Sequence, residues 1–373
     1  MIRRRHFSLL PAALLAAPAL AGLDDSLQRL QQQWRPRLAW RAEPSWHAEA
    51  LASAQRHILQ PGDDGARFDT DVLAEETRAG GVLAQQLRLR VAAGEHAPAL
   101  FLRPAGPGPH PAVLLLHDHG ARFDIGKEKL IAPMAGAAET ASAKAWAARY
   151  FDSTFIGDWL AAQGYAVLCV DALGWGGRTR PGFARDDQQA LAAHLQQLGF
   201  SWAGLIASDD LRSLRWLRAQ DGIDRHRVGV FGFSMGAFRA WQLAAVAEPH
   251  EAQACIAAHW MCTREGLLRP GGNALAGQSA FTMLHPGLAA ELDHPDVAAL
   301  IAPRPLLLMG SPEDALFPWD AAQTAARQLA RAWPGGRGFQ YEAVAGGHRF
   351  GREAQQLAAQ WLKARLAPSS PSV

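Results

Sequence analysis

Short apolar runs recur along the chain between residues 99 and 344, separated by longer stretches of mixed polarity. Apolar runs without polar interruption are typical of strands that are buried on both faces of a parallel sheet. Several intervening stretches carry apolar residues every three or four positions, which is the period of a helix that packs on one side. The alternation predicts an α/β fold, with a mostly parallel central sheet of about eight strands and helices on both faces.

The predicted elements can be placed along the chain from these patterns. The predicted strands are Gln86–Ala92, Ala99–Leu102, Ala112–Leu116, Ala166–Val170, Val228–Phe231, Cys255–Ala258, Pro305–Met309 and Phe339–Val344. The predicted helices are Phe155–Gln163, Ser208–Ala219, Ala237–Ala247, Ala321–Trp333 and Arg352–Leu366. Two stretches, 121–150 and 263–300, exceed what a minimal connection needs. Because each follows the C-terminal end of a strand, we expect them to form walls or lids of an active site.

The N-terminal part of the chain has a different pattern. Residues 23–60 have apolar side chains at helical spacing and are followed by a Pro-Gly-Asp-Asp-Gly loop. This favours a helical extension that packs on the main domain. The predicted organisation is an export signal peptide over residues 1–21, an N-terminal helical extension over 22–85 and a catalytic domain over 86–368.

The first residues resemble an export signal. Arg3–Arg5 form a basic start, Leu9–Ala17 an apolar stretch and Ala19–Ala21 a small-x-small cleavage site before Gly22. The apolar stretch is too short to span a bilayer core of about 30 Å. Arg4–Phe7 also resembles the twin-arginine motif, so both the Sec and the twin-arginine routes stay open. We expect an exported protein, periplasmic or secreted, and without a cysteine near the cleavage site we expect no lipid anchor.

Composition and charge narrow the possible functions. Hydrophobic residues make up 49% of the chain and charged residues 19%, which is typical of a soluble protein with a large core. The formal charge of +2 becomes −1 once the three arginines of residues 1–21 are removed. A nearly neutral protein has no electrostatic basis for binding nucleic acid or an anionic membrane. Three cysteines cannot form a disulfide framework, although a Cys255–Cys262 bridge stays open.

The candidate nucleophile lies at a strand–helix junction. The strand Val228–Phe231 leads into Gly232-Phe-Ser-Met-Gly236, and a predicted helix follows directly. G-x-S-x-G in this context is typical of a nucleophile held on a sharp turn. Glycines two positions away on either side avoid collisions with the neighbouring strand and helix. The hydroxyl of Ser234 is thereby held at a helix N-terminus, where developing negative charge is stabilised.

A serine hydroxyl needs an adjacent base near neutral pH, and this kind of fold supplies its triad in the order Ser, Asp or Glu, His. Asp314 follows the strand Pro305–Met309 and is the predicted acid, with Glu313 as the second choice. His348 follows the last predicted strand and two glycines, and is the predicted base. The arrangement also needs two backbone N–H groups as an oxyanion hole.

The two oxyanion-hole donors are predicted from position. Met235 directly follows the nucleophile and supplies one N–H. The second comes from the loop His117–Ala121 after the strand Ala112–Leu116, and we expect His119 to be the donor. His117 and His119 could instead hold a metal ion, since alternate residues at a strand end project to the same side. Because no further ligand cluster of metal spacing accompanies them, we predict no metal.

Four segments together resemble the dienelactone hydrolase and acetyl xylan esterase branch of the α/β-hydrolase superfamily: Leu114–Gly120, Gly232–Gly236, Leu300–Pro305 and Gly346–His348. The resemblance covers roughly residues 86–366 and implies carboxylic ester hydrolysis through an acyl-enzyme, without a cofactor. The chain has serine where true dienelactone hydrolases have cysteine. Its oxyanion loop reads His-Asp-His-Gly, where sugar acetyl esterases usually have His-Gly and an aromatic residue. These departures leave the acyl group and the alcohol open.

Tryptophan is frequent, with 13 residues in the chain. Trp175, Trp260 and Trp319 each follow the C-terminal end of a predicted strand, so they are candidates for a substrate pocket, with core packing as the alternative. The polar run Lys127-Glu-Lys129 is predicted to be a solvated face.

The predicted function is that of an exported serine hydrolase that cleaves carboxylic esters, with small acyl esters of carbohydrates among the candidate substrates. An acyltransferase or a peptidase could use the same triad, and a non-catalytic carbohydrate- or partner-binding relative could keep the fold. The complete Ser–Asp–His order argues against the non-catalytic alternative. We expect no cofactor, and the sequence does not determine the oligomeric state.

Overall fold

The computed structural model describes residues 22–61, 65, 67–269 and 280–367 of the 373-residue chain. The predicted signal peptide, residues 1–21, lies outside the described residues. The chain divides into two compact units between Arg35 and Pro36. In the first unit the described residues form helix α1, Leu23–Gln33, whose first turn carries Asp24 and Asp25. Acidic side chains there suit the positive end of the helix dipole.

The described part of the second unit is built on a nine-stranded sheet. Its strands are β1 Thr70–Thr77, β2 Leu83–Arg90, β3 His96–Arg103, β4 His110–Leu116, β5 Ala166–Val170, β6 Ile223–Phe233, β7 Ala254–Ala258, β8 Leu306–Gly310 and β9 Phe339–Ala343. The strand order is β1-β2-β3-β5-β4-β6-β7-β8-β9. The pairs β1–β2, β2–β3 and β3–β5 are antiparallel, and the other five pairs are parallel.

The mostly parallel α/β sheet confirms the predicted fold class, and each of the eight predicted strands overlaps an observed one. Strand β1 is the addition, and it lies inside the region 22–85 that the pattern predicts as helical. Among the described strands it is an edge strand that pairs only with β2, and its residues are at most half-buried. An edge strand with both faces partly solvated carries little of the alternation on which prediction depends.

Helices cover both faces of the sheet. Those in the described part of the second unit are α2 Pro44–Ile58, α3 Thr140–Tyr150, α4 Ile156–Ala161, α5 Asp187–Gln197, α6 Trp202–Arg218, α7 Met235–Val246, α8 Arg264–Leu268, α9 Leu288–Glu291, α10 His294–Ala299, α11 Trp319–Ala330 and α12 Arg352–Arg365. On one face α6 and α7 pack with Leu114 of β4, and on the other α4 and α12 pack with its neighbours Val113 and Leu115. This alternation follows from the period of two in a strand.

Helix α2 shows why part of the predicted N-terminal extension is integral to the main unit. Trp46, Ala50, Ala54 and Ile58 recur every fourth residue and are all buried. The side chain of Gln55 donates to the carbonyl of Val246 at the end of α7, at 3.1 Å. Within the described residues, no helix has both the length and the apolar character to cross a bilayer.

The parallel strands direct their following loops to one edge of the sheet. Strands β4, β6, β7, β8 and β9 are consecutive in the sheet and run in the same direction. The loops after them therefore meet at their C-terminal ends, which is where open α/β sheets place ligand sites. Every predicted site residue lies in or beside one of these loops, with the exception of Trp175, which follows the neighbouring strand β5.

Candidate active site

Ser234 occupies the turn between β6 and α7. Its backbone has φ 55° and ψ −125°, in the left-handed half of conformational space that side chains disfavour. The Ser234 N–H donates to the carbonyl of Ala258 at the end of β7, at 2.8 Å, which helps to hold the turn. A non-glycine residue in such a conformation costs energy that the surrounding structure must supply, and such residues concentrate at functional sites.

The two flanking glycines are required by close approach. A Cβ atom on Gly232 would lie 1.9 Å from the carbonyl oxygen of Gly236. A Cβ atom on Gly236 would lie 1.9 Å from the carbonyl oxygen of Leu116, the last residue of β4. Both distances are far inside van der Waals contact, so neither position has room for a side chain. A side chain at either position would therefore collide with neighbouring backbone, as the sequence predicts.

Ser234, His348 and Asp314 form a continuous chain of hydrogen bonds. Nε2 of His348 lies 2.8 Å from Oγ of Ser234, and its Nδ1 lies 2.8 Å from Oδ2 of Asp314. Phe317 stacks on the imidazole at a centroid distance of 5.7 Å, and Phe233 contacts it at 5.1 Å. The three residues predicted from separate parts of the chain are thus brought together with hydrogen-bond geometry.

The carboxylate of Asp314 is nearly enclosed and fully hydrogen-bonded. Its Oδ1 accepts the backbone N–H groups of Leu316 at 2.8 Å and Phe317 at 3.2 Å. Burial raises the pKa of Asp314, but its hydrogen bonds with His259 and His348 outweigh this and hold the pKa well below its usual range. The group therefore carries a negative charge throughout the neutral pH range.

Glu313, the second choice for the acid, is exposed, and its carboxylate accepts a hydrogen bond from Ser311 rather than from His348.

His259 is a further residue of this site that the sequence does not predict. It directly follows β7, has φ 61°, and its backbone N–H donates to the Met309 carbonyl at 2.8 Å. Its Nδ1 lies 3.1 Å from Oδ2 of Asp314, the same oxygen that His348 contacts. Burial lowers the pKa of His259, so the ring is neutral and donates through Nδ1–H. Its position at the end of a parallel strand beside the nucleophile strand is the only feature of the sequence that points to it.

The predicted oxyanion loop runs from the end of β4 against the start of α7. Met235, the first residue of α7, is buried, and the N–H groups in the first turn of a helix have no acceptor within the helix. His119 is also buried, and its Nδ1 accepts the Ala121 N–H at 2.9 Å. This assigns the proton to Nε2, which lies 2.7 Å from Oε1 of Gln188. Burial lowers the pKa of His119 to about 3, so the ring is neutral.

Both histidine rings of the alternative metal site are engaged in hydrogen bonds. Nε2 of His117 accepts the backbone N–H of Ala172 at 3.0 Å, and its Nδ1 lies 3.0 Å from the carbonyl of Asp118. With the two nitrogens of His119 also bonded, these side chains fix the shape of the loop.

All three cysteines, Cys169, Cys255 and Cys262, are buried free thiols.

The three candidate pocket tryptophans have different surroundings. Trp175 is fully buried and donates from Nε1 to the His119 carbonyl at 3.1 Å, so it packs beneath the loop. Trp260 is also buried, contacts Phe317 at 5.3 Å and lines an apolar cavity of about 100 Å³. Trp319 is partly buried and stacks on Tyr341 at 5.5 Å. Trp175 is therefore part of the packed core, which was the alternative to a pocket role.

The sheet, the strand–helix turn at Ser234 and the Ser–His–Asp hydrogen-bond chain define an α/β-hydrolase. Residues 144–350, more than half of the chain, match the dienelactone hydrolase family, and the chain belongs to that family. The matched segment includes Ser234, Asp314 and His348 but not the loop His117–Ala121. The branch named from sequence resemblance is thereby confirmed.

The chain is also similar to individual known proteins. The chain is 28% identical over 279 residues to YtaP of Bacillus subtilis, a provisionally named hydrolase, covering 73% of this chain and 83% of YtaP. A solved structure from Bacteroides fragilis, provisionally described as an acetyl xylan esterase, has a TM-score of 0.67 at 17% identity, covering 87% of this chain and 83% of that one. The glucuronoyl esterase of Solibacter usitatus has a TM-score of 0.60 at 16% identity, covering 86% and 92%. At such identities the structural likeness extends to the fold alone.

Proposed function

We propose that this hydrolase is an exported serine esterase that cleaves carboxylic esters through an acyl-enzyme, with Ser234 as nucleophile, His348 as base and Asp314 as the acid. The observation that carries the proposal is the hydrogen-bond chain from Oγ of Ser234 through His348 to Asp314, with 2.8 Å at each step. A hydroxyl so placed can pass its proton to Nε2 as it attacks a carbonyl carbon.

The steps of the proposed reaction balance without a cofactor. Oγ of Ser234 attacks the ester carbonyl, its proton moves to Nε2 of His348, and the carbonyl oxygen becomes an oxyanion. The backbone N–H groups of Met235 and His119 stabilise that charge. Collapse of the intermediate expels the alcohol, which takes the proton from His348, and leaves an acyl group on Ser234. Water then repeats the sequence and releases the acid. Asp314 stays ionised and supports the imidazolium in both halves.

Small acyl esters of carbohydrates are the substrate class that we propose. Support comes from the similar proteins, since two of the solved structures are described as an acetyl xylan esterase and a glucuronoyl esterase. Export is proposed from the residues before Gly22, which resemble a signal peptide. Secretion would give the enzyme access to polymeric esters outside the cell.

The test combines covalent labelling with a substrate panel. A fluorophosphonate should label Ser234, as mapped by mass spectrometry, and Ser234→Ala should lose both labelling and ester hydrolysis while keeping its fold. Aryl esters of increasing acyl length and acetylated sugars would then define specificity, and competing alcohols and peptide amides would detect acyl transfer and proteolysis. Labelling at another residue, or full activity in Ser234→Ala, contradicts the assignment.

A further inference from the structure

A buried lysine, Lys129, hydrogen-bonds to the loop His117–Ala121, which supplies the proposed oxyanion donor. Lys129 is one of only four lysines in the chain, and it has no exposed surface. Its Nζ lies 2.8 Å from the carbonyl oxygen of Asp118 and 2.8 Å from that of His119. The nearest carboxylate oxygen, Oδ1 of Asp118, is 3.9 Å away, beyond hydrogen-bond distance. The ammonium group is therefore used mainly on two backbone carbonyls.

The preceding carbonyl of the same loop is held in the same way. Nη1 of Arg239, which is buried in α7 and paired with Asp210, donates to the carbonyl of His117 at 3.1 Å. Three successive carbonyls, those of residues 117, 118 and 119, thus accept hydrogen bonds from buried cationic side chains. The indole of Trp175 adds a further donor to the His119 carbonyl at 3.1 Å.

The direction of an N–H group follows from the direction of the carbonyl in the same peptide unit. The peptide between Asp118 and His119 is trans, so its C=O and N–H point in opposite directions. Lys129 holds the Asp118 carbonyl together with the ring of His117, whose Nδ1 lies 3.0 Å from the same oxygen. By holding this carbonyl, Lys129 also helps to fix the direction of the His119 N–H, which points away from the lysine. The loop lies against the start of α7, because a Cβ on Gly236 would meet the carbonyls of both Leu116 and His117. The start of α7 carries the other proposed donor, Met235.

We propose that Lys129 is a positioning residue for the oxyanion hole: its ammonium group fixes the peptide plane that aims the His119 N–H at the reacting carbonyl. This inference rests on the proposed serine esterase function. The positive charge also polarises the peptide groups it binds, which strengthens their N–H groups as donors. Lys129 has no exposed surface and bonds to backbone carbonyls of the loop, which distinguishes it from the catalytic residues.

The surroundings of Lys129 disfavour its charged form. Burial lowers the pKa of Lys129 to about 8, against the opposing effect of the carboxylates of Asp118, Asp124 and Asp171 and with a smaller contribution from Arg239. The ammonium also lies over the ring of Trp146, at 5.1 Å from its centroid. A neutral apolar residue of the same length would avoid the cost of burial but could not hold the two carbonyls.

The test compares Lys129→Met with Lys363→Met, which removes an exposed lysine on α12. The measurements are kcat and KM on an aryl acetate, the inhibition constant of an aryl trifluoromethyl ketone and the thermal midpoint. The ketone adds to Ser234 and places an oxyanion in the hole, so it reports on the same hydrogen bonds as the transition state. We expect kcat of Lys129→Met to fall about 100-fold, the loss typical of one oxyanion donor. The ketone should weaken by a similar factor, with KM changing less than about threefold.

The outcomes separate this inference from the proposed function. If the wild type hydrolyses esters and Lys129→Met keeps kcat and ketone affinity within about threefold, the positioning role is wrong and the esterase stands. If kcat, KM and the thermal midpoint all deteriorate while ketone affinity is unchanged, the role of Lys129 is only structural. Should Lys129→Met fail to fold, Lys129→Arg decides, because it keeps a cationic donor and is expected to retain more activity than the neutral Lys129→Gln. Equal activities in these two variants would overturn the proposal.

Discussion

His259 and His348 share one oxygen atom, Oδ2 of Asp314, at 3.1 Å and 2.8 Å. The neutral ring of His259 donates to the carboxylate but takes no part in proton transfer from the nucleophile, because among the described side chains Oγ of Ser234 hydrogen-bonds with the ring of His348. Two donors on one oxygen, together with two backbone N–H groups on Oδ1, leave Asp314 little freedom to rotate.

The first prediction concerns that shared oxygen. His259→Phe should keep the shape of the ring and remove its hydrogen bond to Asp314. Loss of a hydrogen bond to a charged group should lower the free energy of unfolding by about 2 kcal/mol. We expect kcat to fall about tenfold, because a less restrained carboxylate orients His348 less well. Urea unfolding and steady-state kinetics provide the measurements. His250→Phe, at an exposed position, is the control, and equal behaviour of the two variants would contradict this role for His259.

The second prediction separates the two adjacent acids. Asp314→Asn should lower kcat by about 10⁴-fold, as loss of the orienting carboxylate does in other triads. Glu313→Gln should change kcat by less than about twofold, because its carboxylate is exposed and bonds to Ser311 rather than to His348. The comparison uses one soluble ester at one pH. A larger loss in Glu313→Gln would move the acid by one residue.

The third prediction tests the close approach at the turn. Gly236→Ala places a Cβ 1.9 Å from the Leu116 carbonyl, so either α7 or the end of β4 must move. We expect a loss of about 3 kcal/mol in the free energy of unfolding. Because the displaced segment continues into the oxyanion loop, kcat should fall as well. Gly136→Ala is the matched control, since its Cβ would meet nothing within 4 Å and it costs only the strain of its φ of 79°. A Gly236→Ala variant as stable and active as Gly136→Ala would contradict the packing described.

The sequence predicts the parts of the site that have a local pattern. Ser234 is recognisable because a buried strand, two glycines and a helix surround it. Asp314 and His348 are recognisable because each follows a late strand in the expected chain order. Strand β1 has no comparable pattern, because an edge strand with half-buried faces has neither an apolar run nor strict alternation.

The interior charges could not be predicted in this way. The run Lys127-Glu-Lys129, with its alternating charges, indicates a solvated face, yet all three side chains are buried, so that prediction is wrong. Nζ of Lys127 pairs with Oδ2 of Asp171 at 2.9 Å, across 44 residues of chain. Burial of such charges is tolerable only when partners from distant segments satisfy them, and a local pattern contains no information about those partners. His259 is missed for the same reason, because its contact with Asp314 depends on β7 and β8 being neighbours.

The last prediction follows from the titration of Lys129. Its pKa is lowered to about 8 from the 10.5 of an exposed lysine, and burial is the main cause. Between these two pH values the unfolded chain holds the proton and the folded protein does not. The free energy of unfolding therefore rises as the pH increases across this window. Conversely, this gain is lost as the pH is lowered from 10.5 through about 8. The largest contribution of Lys129 to that rise is about 3 kcal/mol.

Lys129→Met lacks this titration, so subtraction isolates it from every other group that titrates above neutrality. The difference in unfolding free energy, wild type minus Lys129→Met, should increase between about pH 7.5 and 10, measured by urea unfolding at several pH values. Lys363→Met, at an exposed lysine, should differ from the wild type by a nearly constant amount over the same range. If the difference for Lys129→Met is also constant, then Lys129 keeps its proton to the pKa of an exposed lysine. The surroundings must then stabilise the charge by as much as burial opposes it, which would also remove the energetic cost of holding a cation beneath the oxyanion loop.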